Sequence, residues 1–103
     1  MGFPTVTTNP VHASVNTLKT TNGDALTANF GRRDGLVQNL STEKLYVKKG
    51  TGASAADFTV ILAPGSAADD GYGGSLPLGP YSGVVSIFAI STTPRAMVSE
   101  DIG

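Results

Sequence analysis

The sequence predicts an all-β chain folded as a single antiparallel β-sandwich of roughly six to seven short strands. Three observations carry this expectation. Apolar residues alternate with a period of two in several short runs, the spacing that places one side of a strand on a core. Glycine and proline, 13 and 6 of the 103 residues, fall between those runs and punctuate them. No longer stretch combines helical apolar spacing with a cap at its start. A chain of 103 residues fits one domain with a modest core, since aromatics make up 7% of it and tryptophan is absent.

The elements follow in order. Residues 1–25 are rich in Thr, Asn and small side chains, with Pro4 and Pro10 and only sparse valines. They read as an extended N-terminal arm, disordered alone or ordered only against a neighbour, and the alternative is a pair of edge strands of the same domain. The β-sandwich domain is then expected over 26–103. Leu26–Phe30 alternates as a first strand, and Gly31–Gly35 reads as a turn with charges at its tip. Leu36–Leu40 and Leu45–Lys48 are strands separated by Ser41–Lys44, a gap short enough to predict an antiparallel hairpin. Gly50–Ala56 is a small-residue loop. Across Asp57–Ala63, Phe58, Val60 and Leu62 share one face, and Pro64-Gly65 ends the run. Ser66–Gly74 is a polar, Gly-rich tip and Ser75–Leu78 a short edge strand. Val84–Ile90 is apolar on both faces, as in a strand covered on each side. After Thr92-Thr93-Pro94, Arg95–Glu100 makes the last strand.

Composition excludes several classes. With 7 basic and 8 acidic residues there is no basic patch to displace counterions from nucleic acid. The basic pairs Arg32–Arg33 and Lys48–Lys49 read as solubilising charges at strand ends. Charged residues are only 15% of the chain, below the usual quarter, so its surface loses little on being covered. The run Gly83–Ile90 is far shorter than the roughly 18 apolar residues of a membrane span. Residues 1–20 hold no apolar stretch of the secretory type. Neither membrane nor nucleic acid is expected as a partner. With no cysteine, the fold is expected to need no disulfide.

The inventory for catalysis is thin, and no enzyme activity, metal or cofactor is expected. The one histidine, His12, lies in the arm, a poor setting for an imidazole that catalysis requires to be held by a buried carboxylate. A zinc site wants four Cys or His ligands. Asp69-Asp70-Gly71 lacks the alternating acidic positions of an EF-hand loop and reads as a solvated turn. Glu100 and Asp101, adjacent on a strand, point to opposite faces and so do not form a glycosidase pair. Gly50-Thr51-Gly52-Ala53-Ser54-Ala55 matches a dinucleotide fingerprint in letters, but strand periodicity follows where a helix is needed. Asn39-Leu40-Ser41 has the form of a glycosylation sequon only.

The segment from Arg33 to Glu100 resembles, in its order of features, a family of small bacteriophage virion proteins. The features are Arg33-Asp34-Gly35, Asn39-Leu40-Ser41, Leu45-Tyr46-Val47 and Gly50-Thr51-Gly52-Ala53-Ser54. Asp57-Phe58, Leu62-Ala63-Pro64-Gly65, the Asp69-Asp70-Gly71 loop and Pro94-Arg95-Ala96-Met97-Val98 complete the series. The resemblance implies an immunoglobulin-like or jelly-roll-type sandwich serving as a capsid accessory, fibre-base or tail component, with no catalytic residues to carry over. It implies a head decoration (cement) protein made in the host cytoplasm, placed on the capsid exterior and bound to the major capsid protein. From the resemblance alone a homotrimer is expected. A head–tail connector or tail component is the neighbouring expectation. A carbohydrate-binding module for host adsorption is the alternative of another class, with Tyr46, Tyr72 and Tyr81 as the available platforms. The candidate partner-binding residues are Val6, Val11, His12 and Val15 in the arm and Tyr72 and Tyr81 in loops.

Overall fold

The computed structural model describes residues 13–65 and 73–102, and these form eight strands with no helix among them. In chain order the strands are β1 (Ala13–Lys19), β2 (Gly23–Leu26), β3 (Arg32–Asn39) and β4 (Leu45–Lys49). They continue as β5 (Val60–Leu62), β6 (Ser75–Pro77), β7 (Val85–Phe88) and β8 (Ala96–Ile102). Two antiparallel sheets of four result, one ordered β1-β8-β3-β6 and the other β2-β7-β4-β5. First pairs with last, second with seventh, third with sixth and fourth with fifth. That is a long antiparallel ribbon rolled onto itself, and rolling adds the β3–β8 and β4–β7 ladders. The sandwich therefore has jelly-roll connectivity.

Alternation explains which side of each strand is buried. Val37 of β3 and Ala96 and Val98 of β8 face Leu45 and Val47 of β4, Val85 and Ile87 of β7, and Leu62 of β5. Leu26 and Leu78 close the core at the β2 and β6 sides. The strands that line the core contribute only one or two such residues each, so burial is shared thinly and the backbone ladders carry the register. Gly35 lets β8 approach β3 closely. A Cβ there would sit 2.7 Å from the Ser99 carbonyl oxygen and 2.8 Å from Leu78 Cδ1.

Several expectations are corrected. Residues 1–12 lie outside the described residues, but 13–25 hold β1 and all but the last residue of β2, the two edge strands of the alternative reading. Their periodicity is weak because Asn16, Thr17 and Leu18 are all exposed, so ladder bonds to β8 rather than burial define β1. β2 ends at Leu26, before the expected strand's end at Phe30, and β3 begins at Arg32, inside the expected turn. The hairpin expected across Ser41–Lys44 is an arch, since β3 and β4 belong to opposite sheets. β5 is shorter than Asp57–Ala63, and Phe58 precedes it instead of joining Val60 and Leu62 in the core.

Buried polar side chains organise both ends of the sandwich. At one end Arg32 is buried, with Nε donating to Glu100 Oε1 at 2.8 Å. Its Nη1 donates to the carbonyls of Gly83 (2.8 Å) and Tyr81 (3.2 Å), and Nη2 to that of Thr27 (2.6 Å). The reading of Arg32 as a solubilising charge is thereby overturned: a guanidinium can be buried because four acceptors, one of them a counter-charge, meet its donors. Arg33 beside it is exposed. At the opposite end Asn39 Nδ2 lies within hydrogen-bond reach of the carbonyls of Glu43 (2.7 Å), Ala63 (3.1 Å) and Leu62 (3.3 Å). Its Oδ1 accepts from the backbone N–H (2.9 Å) and hydroxyl (2.6 Å) of Ser41. This amide turns the chain from one sheet to the other, which a plain four-residue gap does not disclose.

Candidate functional site

Strand register builds one feature that core packing does not use. In β4, Leu45 and Val47 point inward, so Tyr46 points out. Tyr46 is the Cα partner of Ile61 on β5 and of Phe88 on β7. Phe88, Tyr46 and Ile61 thus form a row across three strands on the outer face of the second sheet. Phe58, carried by the approach to β5, lies against this row with its ring 5.3 Å from that of Tyr46 and tilted by 58°. The Tyr46 and Phe88 rings are 6.0 Å apart at the same tilt. Ile61 is 41% exposed and Phe58 39%, while Tyr46 and Phe88 are half-buried by their neighbours.

The adjacent row on the same face is polar and covered. Asp24 and Lys48 are the Cα partners of Ser86, on either side of it. Residues 50–57 fold over this row: Ser86 Oγ donates to the Gly50 carbonyl at 2.7 Å and accepts from the Ala53 N–H at 3.0 Å. Thr51 Oγ1 donates to Asp24 Oδ1 at 2.9 Å, and Lys48 Nζ pairs with Asp57 Oδ2 at 2.6 Å. Gly50 (φ +146°) and Gly52 (φ +81°) give the loop its path in conformations few other residues adopt. The loop thus stops beside the aromatic row and leaves it open.

Of the residues expected to bind a partner, Val15 and Tyr81 are among those the structure describes. Val6, Val11, His12 and Tyr72 lie outside the described residues. Val15 is in β1, opposite Glu100 in the ladder. Tyr81 packs on the core, its hydroxyl donates to the Val84 carbonyl at 2.8 Å, and Lys49 Nζ stands 5.5 Å over its ring. Of the two proposed platforms among the described residues, Tyr46 is part of the open row and Tyr81 is not. Ile61 and Phe88 were legible as partners of Tyr46 only once register was known, although each alternates with core residues in its own strand. Phe30, at 95% exposure in the β2–β3 connection, and Ile90, at 69% after β7, are further uncovered apolar side chains.

The residues the structure describes include no group of three metal-ligating side chains and no enclosed cavity. Glu100 is engaged by Arg32, and the Gly50–Ala55 stretch leads into a bridge between Ser54 and Asp57 and then β5. What this arrangement offers is a contact surface. Comparison of the chain with protein-family models, curated proteins and solved structures gives no match.

Proposed function

We propose that this chain is a structural protein of a bacteriophage particle, a head decoration (cement) protein that lies on the outside of the major capsid shell as a homotrimer. The observation that carries this reading is the open row Phe88–Tyr46–Ile61 with Phe58. Contiguous exposed apolar surface marks interaction sites, and aromatic rings are enriched at the centres of protein interfaces. Rings mounted on a sheet are held in place before contact, which lowers the entropy lost on binding. The jelly roll serves in viral capsids, which supports the reading, while the partner is argued from the site and the resemblance. A connector or tail position uses the same surface, and copy number separates the two: shell-wide for decoration, one ring for a connector. For a sugar, a flat platform would suit better than rings tilted by 58°.

The test is co-sedimentation of the purified chain with shells that lack it. Bound chain on the shell exterior and trimers in sedimentation velocity are expected. The double variant Tyr46→Ala/Phe58→Ala, folded by circular dichroism, should lose binding by roughly 30-fold or more, the worth of one hot-spot ring. Unchanged affinity of that variant, or location at a single ring of the particle, removes the proposal.

A further inference from the structure

The connection from β1 to β2 ends in Asn22-Gly23, the one Asn-Gly pair in the chain. This pair carries its own chemistry. The backbone nitrogen of Gly23, having lost its proton, attacks Asn22 Cγ and closes a five-membered succinimide. The Cγ–Nδ2 bond breaks and the nitrogen leaves as ammonia. Water then opens the ring, giving aspartate or an isoaspartyl linkage. Glycine on the C-terminal side leaves the attack unhindered, and Gly23 has φ +128° with nothing within 4 Å of where a Cβ would stand.

The fold holds the reacting side chain in check. Asn22 Nδ2 donates to the Ala89 carbonyl at 3.0 Å, and Asn22 Oδ1 accepts from the Ala89 N–H at 2.8 Å. Ala89 is itself fully buried, just beyond β7. Gly23 is the ladder partner of Ile87, so both reacting residues are tied to the same stretch of chain. Asn22 Cγ can turn onto the Gly23 nitrogen only when the amide lets go of Ala89.

We propose that Asn22 is a site of spontaneous deamidation gated by this clamp, closed while β2 is docked on β7 and reactive when the connection opens. The product does not restore the clamp. An aspartate keeps an acceptor for the Ala89 N–H but has no N–H for the Ala89 carbonyl, and sets a carboxylate against it. An isoaspartyl linkage adds a methylene to the backbone just before β2, whose register with β7 already shifts between Asp24 and Leu26. Each opening that proceeds to reaction is thus recorded permanently at this end of the sandwich.

The experiment incubates the full chain at mildly alkaline pH, folded and in denaturant. Trypsin then cuts after Lys19 and Arg32, and fragment masses of peptide 20–32 distinguish Asn22 from Asn29. The mass gain of an amide converted to an acid is expected at residue 22 in both samples, roughly tenfold or more slower in the folded one, as for any event that needs local opening. Leu26→Ala loosens β2 without touching Asn22, and should speed the reaction in the folded chain. Equal rates folded and denatured, no gain at residue 22 in denaturant, or an unchanged rate in Leu26→Ala would each overturn the proposal.

Discussion

At one end of the sandwich a guanidinium gathers the loop carbonyls, and at the other a pair of primary amides does so. Arg32 reaches Thr27, Tyr81 and Gly83 from a single side chain, spanning two connections that approach the core from different sheets. Asn39 and Asn22 each serve carbonyls that the chain already brings within a short reach, Glu43, Leu62 and Ala63 for one and Ala89 for the other. Length favours arginine where loops stand apart. Arginine, however, brings a charge, and its burial is tolerable only with Glu100 beside it. The amide end needs no counter-ion. The difference teaches that the two ends fail in different ways: one by stranding a charge, the other by losing hydrogen bonds between uncharged groups.

The largest effect separates these modes. Arg32→Met strands the Glu100 carboxylate, 18% exposed, and three carbonyls, and should lower stability by about 3–5 kcal/mol in urea unfolding. Adding Glu100→Leu to Arg32→Met should recover part of that loss, since an apolar pair of similar volume removes the stranded charge. If the double variant is no better than the single, the Arg32 end is not organised around charge and the comparison breaks.

Next comes Asn39→Ala, which removes the amide's donation to Glu43, Leu62 and Ala63 and its acceptance from Ser41, and should cost about 2–3 kcal/mol by the same measurement. Asn39→Asp, isosteric but unable to donate, should be no better. A benign Asn39→Asp would mean that shape, not donation, holds the arch. Gly35→Ala, between the two ends, tests packing alone: a Cβ 2.7 Å from the Ser99 oxygen forces β3 from β8, a loss of about 1–3 kcal/mol. The smallest effect sharpens the role of burial. Lys48 and Asp57 also pair, yet their side chains are 27% and 61% exposed, so Lys48→Met should change stability by about 0–1 kcal/mol, and less at high salt.

Legibility followed burial. β7 was readable because Val85, Ser86 and Ile87 are all covered, and β4 because Leu45 and Val47 alternate cleanly with Tyr46. β1 was not, because Asn16 to Leu18 face water and carry no period, so a seven-residue strand looked like an arm. The hairpin was misread because a four-residue gap fits a hairpin or an arch equally. The deciding interactions, from Asn39 to Leu62 and Ala63, join residues 23 and 24 positions apart. Arg32 was misread for the same reason, its counter-ion lying 68 positions away. Of the candidate surface, the sequence offers Tyr46, as a sugar platform. The row appeared only when register set Phe88 and Ile61 beside it.

The pairing of first strand with last has a mechanical side. Ala13 and Ile102 are Cα partners, so the two ends of the described chain emerge side by side at the same end of the β1–β8 ladder. A pull that separates those residues loads the ladder bonds one after another, as a zipper is opened, instead of all together in shear. Traction through these tethers would strip β1 from β8 early and at low force, while β3 remains fastened to the other edge of β8. Load carried across the faces would leave that seam untouched, so the direction of a force decides whether β1 is the first strand to part.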